Sequence, residues 1–444
     1  MPPTATDATS WPRWLPAGLL AAFVYVGFEP FADGSSVEGG NLVNQIGFAA
    51  LALVAARLIA FMPPQARRAL LRPAWVAVGV VLLLAALRAD DPGASLRAAI
   101  FSAIVVVVAG TIVAWPRSQG ELTGTLTTAA LAALAFSLVA VFAVPHVGVH
   151  GPFGPEAHHA GLWRGVYPHK NVAGYVAGAF VIVGVYVARS GRPGWGIVTA
   201  TLAVIFTVQA GSKTVLAVLP VALTTAWLAA RFSNPWLRAL TVALPVAALA
   251  TVTLGAALFP SVDATLQAMF PGTTFTGRLD LWRFTAEQIA KRPHGGYGFE
   301  SFWTTQRAIG LEQPIELSWD VRKIVHGHNA FLDAVIAFGG WGAAIVLWVV
   351  LVLPVAHFAR LPARGPVARL GQLYIALWLL CAMGASLESF FLRRADPVWF
   401  TMTLAVFGLQ IAYHRSRVLR RPVAERFDDP VDRRVVDVEM GHQA

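Results

Sequence analysis

Unbroken apolar runs dominate the chain, and polar residues collect between them. Segments such as 74–87 (AWVAVGVVLLLAAL) and 242–258 (VALPVAALATVTLGAAL) show none of the two-residue alternation of a membrane β-strand. The runs therefore predict helices. Hydropathy places them near residues 14–30, 41–62, 73–88, 98–115, 122–144, 171–188, 195–210, 214–230, 237–258, 328–358, 368–390 and 397–413. About twelve spans fit the chain length at roughly 20 apolar residues per crossing plus a connection. The expected fold class is an all-α polytopic membrane protein. Residues 1–13 form a cytoplasmic N-terminus, 14–258 hold helices one to nine, 259–327 form a large periplasmic loop, 328–413 hold helices ten to twelve, and 414–444 form a cytoplasmic tail.

Composition narrows the class. Of 444 residues, 56% are hydrophobic and 13% charged, with a mean hydropathy of +0.61. A soluble domain carries about 25% charged residues, so coiled-coil, disordered and disulfide-stapled soluble classes are excluded. The formal net charge of +10 would suggest nucleic acid in a soluble protein. Here the arginines sit in short connections, so the excess reads as a topology signal and no nucleic-acid partner is expected. One set of connections holds Arg67, Arg68, Arg72, Arg117, Arg189, Arg192, Arg231, Arg238, Arg360, Arg364 and Arg369. That set should face the cytoplasm, together with both termini. Cys381 is the single cysteine and permits no internal disulfide. The N-terminal MPPTATDATSWPR lacks a basic region followed by a small-residue cleavage site, so no cleaved signal peptide is expected.

The opposite face receives FADGSSVEGG, the stretch 145–170, the GSK turn at 211–213 and the insert 260–327. The insert is rich in aromatics, including Phe275, Trp282, Tyr297, Trp303 and Trp319, and is expected to pack back on the bundle. Thr276 could cap a helix running to about Lys291, with Arg278, Trp282 and Thr285 on one face. Four polar clusters converge on this face. WRGVYPHKN brings Arg164, His169, Lys170 and Asn171 to the start of the sixth helix, where free backbone N–H groups favour an anion. Arg164 and Lys170 would equally serve as interfacial anchors. Lys213 lies in so short a turn that its charge must sit near the bilayer surface, although it could snorkel to lipid headgroups. Arg278 offers a planar fork for phosphate oxygens, or a salt bridge to Asp280 or Glu287.

The fourth cluster, HGHNAFLDAVIAFGGWG, places His328 and Asn329 at a helix start, where the dipole favours a neutral imidazole able to act as a base; a cap is the plain alternative. Gly339, Gly340 and Gly342 would admit a closely packed helix. His146, His150, Glu156, His158, His159, His326 and His328 share this face, yet no spacing matches a metal signature. No metal or cofactor is expected. Asp333 and Glu388 are carboxylates inside apolar runs; Glu388 could neutralise Arg393 or Arg394, or approach the cationic cluster.

Cations and a histidine at one membrane surface suit a donor bearing a sugar on a diphosphate, with leaving charge held by Arg and Lys and a hydroxyl acceptor deprotonated by histidine. The pattern H-N-x9-G-x-x-G, filled by His328, Asn329, Gly339 and Gly342, resembles the signature of the O-antigen ligase family, the WaaL type of the O-antigen ligase and polymerase superfamily. The SKT at 212–214 and the TGR at 276–278 are similar to that family's S-R/K-T and S/T-G-R segments, with lysine where the family usually shows arginine. The resemblance spans most of the chain from Trp163 to Asp396. It implies a GT-C-like glycosyltransferase in the bacterial inner membrane with its active site facing the periplasm. The implied reaction moves an O-antigen glycan from undecaprenyl diphosphate to lipid A-core, inverting and without metal. His328 would be the base or a positioning group, and Arg278 and Lys213 would hold the diphosphate. Substrate contacts would extend to Arg164, His169, Lys170, Asn171, Asn329 and Trp282. An O-antigen polymerase or protein O-oligosaccharyltransferase of the same superfamily is the nearest alternative. A lipid or solute transporter is the non-enzymatic one, disfavoured by spans free of charge at their centres apart from Arg57 near the cytoplasmic end of the second helix.

Overall fold

The computed structural model describes residues 12–27, 42–154, 157–271, 275, 277–303, 305, 308, 310, 320, 324–394 and 396–419. Among the described residues the chain is helical, with one isolated antiparallel bridge between Val149 and Trp163. The helices are α1 (Leu15–Val26), α2 (Leu42–Ala60), α3 (Pro64–Leu70), α4 (Pro73–Leu87), α5 (Pro92–Ala114), α6 (Gln119–Ala143), α7 (Lys170–Arg189) and α8 (Pro193–Ala210). They continue as α9 (Lys213–Ala229), α10 (Pro235–Leu258), α11 (Pro260–Met269), α12 (Arg278–Lys291), α13 (Ala330–Ala359), α14 (Pro366–Gly384) and α15 (Pro397–Leu419). Their starts follow local chemistry. Asp91, Ser118 and Asn234 each accept a hydrogen bond from the first turn of α5, α6 and α10, satisfying N–H groups that helix geometry leaves free.

Among the described residues, seven helices are long and apolar enough to cross a membrane: α5, α6, α7, α8, α10, α13 and α14. The pair α3 and α4, bent by 41°, would make an eighth. Twelve crossings would also require the shorter apolar helices α1, α9 and Gln45–Ala60 of α2, and α15, whose 23 residues include Gln410, Tyr413 and His414. The molecule is thus a multi-pass helical membrane protein. The acidic FADGSSVEGG, Thr276, Trp319 and the chain after Leu419 lie outside the described residues.

The core is built on α14 and α15, packed side by side and flanked by α5, α7 and α9. Trp378, Trp399, Phe400 and Phe407 are fully buried there. Small residues let α7 and α8 touch: a Cβ added at Gly196 would lie 2.2 Å from the Ala188 nitrogen.

The insert contributes α11 and α12, and its 293–303 stretch docks on the bundle. The docking point is a break in α13, where Gly339 adopts φ 67° and ψ 175°. Carbonyls freed by the break are taken up by the insert: Tyr297 N–H donates to Ile336 O (2.7 Å) and Gly298 N–H to Ala337 O (3.0 Å), while Gly340 N–H donates to Pro293 O (2.7 Å). The glycines around residue 340 therefore receive a loop as well as a helix; only Gly342 faces another helix, with a Cβ position 3.2 Å from Val81. Alanine at 339 would have to hold a backbone region open essentially to glycine, with its Cβ 2.2 Å from the His294 carbonyl oxygen. Gly339→Ala is expected to lower stability by about 3 kcal/mol, read as a fall in Tm of the detergent-solubilised protein.

Candidate active site

The site forms where the start of α13 meets the turn after α14. Asn329 caps α13, its Oδ1 accepting from Phe331 N–H (3.1 Å) and Leu332 N–H (3.2 Å). Its Nδ2 donates to Ser386 O (3.1 Å), its own N–H donates to Ser389 Oγ (2.9 Å), and Ala330 N–H donates to Ala385 O (2.8 Å). The two segments are thereby zipped together. Asn329 is completely buried, so its amide serves the protein.

His328 precedes it in the left-handed region, at φ 51°. Such a conformation costs a non-glycine residue about 1 kcal/mol or more and persists only when neighbours impose it. Here they do. Gly327 N–H donates to both Asp333 carboxylate oxygens (3.2 and 3.0 Å), Trp303 Nε1–H holds Asp333 Oδ1 (2.8 Å), and Trp282 Nε1–H holds the Gly327 carbonyl (3.0 Å). Trp282 is itself fully buried against Phe275, its ring 5.4 Å away. It braces the turn from behind.

The hub is Glu388, just past α14. Its Oε1 accepts from Arg278 Nη2 (2.9 Å) and Asn171 Nδ2 (2.8 Å), and its Oε2 lies 3.1 Å from His328 Nδ1. Arg278 Nη1 also donates to the Leu387 carbonyl. Burial alone would raise the Glu388 carboxyl, but the His328 hydrogen bond and the Arg278 charge more than reverse this and hold it well below the usual range. An ionised carboxylate only accepts, so His328 Nδ1 carries the proton. In the neutral ring Nε2 then has a free lone pair. The His328 side chain keeps 32% exposure against 17% for Arg278 and 14% for Glu388, so the imidazole is the most open of the three. His326 packs edge-to-face beside it, with ring centroids 4.2 Å apart, and its Nδ1 accepts from His328 N–H (3.3 Å). Burial, then His328 and Arg393, push the His326 imidazole far below its ordinary pKa, so it stays neutral.

Asn171 leads to the cationic flank. Lys170 opens α7 and is buried, its Nζ donating to Gly211 O (3.2 Å) at the entry to α9. Lys213, exposed at the start of α9, is near enough for the two ammonium groups to act on each other. His169 caps α7, its Nδ1 accepting from Asn171 N–H (3.1 Å), and His150 Nε2 accepts from Lys170 N–H (3.1 Å). The His159 ring lies 5.2 Å from that of His169 and 5.6 Å from that of His150. Burial, then Lys170, lower its pKa to about 4. Arg164 turns inward on its own loop, donating to Val147 O (2.8 Å), His146 O (3.2 Å) and Pro168 O (3.4 Å).

Asn171, Arg278 and His328 thus meet at Glu388, and Lys170, next to Asn171 at the start of α7, brings Lys213 alongside them. Arg164, Asn329 and Trp282 shape the walls of the site. Sequence reasoning did not assign Glu388, Asp333, Trp303 or His326 to the site. The signal for the two carboxylates was present, because an acid in an apolar run demands a partner. Among the described residues, no three His, Cys, Asp or Glu side chains are arranged to hold a metal ion.

A multi-pass helical membrane protein with a cationic, histidine-bearing patch at its helix ends is the class that fold and site define. Residues 195–347 match the family model described as O-antigen ligase. The match takes in Lys213, Arg278, His328, Asn329, Gly339 and Gly342; Asn171 and Glu388 fall outside it. No curated protein matches the chain.

Proposed function

We propose that the protein transfers a glycan from undecaprenyl diphosphate to lipid A-core, completing lipopolysaccharide in the periplasmic leaflet of a bacterial inner membrane. In this reading twelve helices cross the bilayer, the insert 260–327 is periplasmic and both termini are cytoplasmic. The acceptor hydroxyl attacks the anomeric carbon from the face opposite the diphosphate. The new glycosidic bond forms as the sugar–diphosphate bond breaks, the configuration inverts, and the hydroxyl proton passes to His328 Nε2. Arg278 and Lys213 neutralise the departing diphosphate, and Lys170 adds to that field. The chemistry requires no metal.

The observation that carries the reading is the Glu388 carboxylate, which fixes the His328 tautomer and tethers Arg278 within one residue's reach of it. Base and anion-binding fork are thereby held in register, which is what positioning contributes to such a transfer. Arginine has five N–H donors. Two are spent on Glu388 and Leu387, leaving others for phosphate oxygens.

Reconstitution of the purified protein with both lipids, with and without a strong chelator, tests the proposal. Lipid A-core bearing the glycan is the expected product in both arms. Elongated undecaprenyl-linked glycan would instead identify a polymerase, glycosylated protein an oligosaccharyltransferase, and activity restored only by a divalent ion would remove the metal-free mechanism. Arg278→Ala is expected to raise KM for the donor about tenfold or more while leaving KM for lipid A-core nearly unchanged, as measured by titrating each lipid in turn.

A further inference from the structure

The end of the bundle away from Glu388 carries a second polar concavity. α15 starts close to the Glu388 turn, and Tyr413, Ser416 and Arg417 lie roughly 24–30 Å further along its axis at the usual rise per residue. There Pro235, Arg360, Leu361, Tyr413, Ser416 and Arg417 are among the residues lining a cavity of about 820 Å³. That is within the range of small-molecule sites, roughly 300–1,000 Å³. Tyr413 forms a wall, with the Arg417 guanidinium 5.8 Å from its ring centroid and the His357 ring stacked at 4.9 Å. His357 Nδ1 is buried without a hydrogen-bond partner.

Among the described residues, the charge around this cavity is of one sign. Arg360 donates to Ala356 O (2.9 Å) and is otherwise exposed. Behind the wall, Arg238 is 2% exposed, sits 4.4 Å over the Phe358 ring, and donates to Leu361 O (2.5 Å); its Nε has no partner. Arg72 lies within electrostatic reach of His357. Among the described residues, no carboxylate pairs with Arg72, Arg238, Arg360 or Arg417. Buried positive charge without a counter-charge is costly, and the 24-residue helix α10 adds its positive end at Pro235. Arg360 and Arg417 stand exposed at the rim of this hollow, with Arg238 buried behind its wall.

An apolar strip leaves the same hollow along α10. Trp236, Leu240 and Leu244 are spaced four residues apart on one face and are 80%, 61% and 61% exposed. A tryptophan at a membrane interface followed by leucines is a surface for an acyl chain.

We propose that this cavity is a headgroup site for an anionic phospholipid of the leaflet opposite the Glu388 patch. Arg360 and Arg417 take the phosphate, and an acyl chain follows Trp236, Leu240 and Leu244. Inorganic phosphate shares the headgroup's chemistry and lacks the chain, so the strip decides between the two sources. The site is independent of the glycan-transfer reading, since it requires only the fold.

Native mass spectrometry of the full-length protein, released from nanodiscs of mixed phosphatidylglycerol and phosphatidylcholine, tests it. Wild type is expected to retain phosphatidylglycerol selectively. Arg360→Gln with Arg417→Gln is expected to reduce that retention about tenfold or more, in line with the loss of two interfacial cations, without loss of helical content. Arg360→Lys with Arg417→Lys keeps both charges and should lose part of the preference with the guanidinium fork; this pair carries the test if the glutamine variant does not fold. Retention equal to wild type in either pair overturns the site. Complete displacement of the lipid by millimolar inorganic phosphate overturns the lipid assignment; persistence of the lipid supports it.

Discussion

His328→Ala is expected to abolish glycan transfer, by at least about 10²–10⁴-fold in kcat, the usual contribution of a positioned general base, while the protein still inserts and folds. The imidazole is the most exposed member of the Glu388 cluster, and its Nε2 is the atom left with a lone pair once Nδ1 donates to the carboxylate. Alanine removes that acceptor, but it must also occupy the left-handed backbone at φ 51°. Asparagine enters that region far more readily, so His328→Asn separates the two effects. Both variants should lose transfer, and His328→Asn should keep the wild-type Tm more nearly. Product formation by His328→Asn near the wild-type rate would end the assignment of a base to this position.

How much of this was legible beforehand depends on the range of the interactions. The helices follow from local hydropathy, and their starts from single caps such as Asp91, Ser118 and Asn234. The cations and His328 were recognisable because a charge at the edge of an apolar run is costly and noticeable. Glu388 was noticed for the same reason, yet its role was hidden. Its partners lie 60, 110 and 217 residues away, and only tertiary folding brings them to one carboxylate.

Trp282 and Asn329 illustrate the opposite limit. Spacing put them beside the site, but an aromatic or amide beside a site and one buried behind it have the same pattern in sequence. Burial alone separates them. The glycines after His328 were read as a helix-packing surface, whereas Gly339 in fact breaks α13 and accepts the insert. Nothing local distinguishes a glycine that admits a helix from one that admits a loop.

Glu388→Gln should give the second large effect, a fall in kcat of about 10²-fold or more, through positioning and not through contact with substrate. The amide keeps the shape of the side chain and can still accept from His328 Nδ1–H, but it brings no charge to stabilise the imidazolium formed as the proton is taken. The loss should therefore fall on kcat and not on donor binding, a split that loosened packing would not produce. Arg278, released from its carboxylate, should bind the diphosphate at least as well, so KM for the donor should not rise. Stability follows its own sign. A carboxyl held below its ordinary value contributes stability that is complete above that value, about 4.3, and is lost as pH falls through the folded one. Between pH 5 and 9 the contribution of that carboxylate to Tm should accordingly be flat. A rise in KM for both lipids with kcat kept near the wild-type value would reduce Glu388 to a structural tie between α12 and α13.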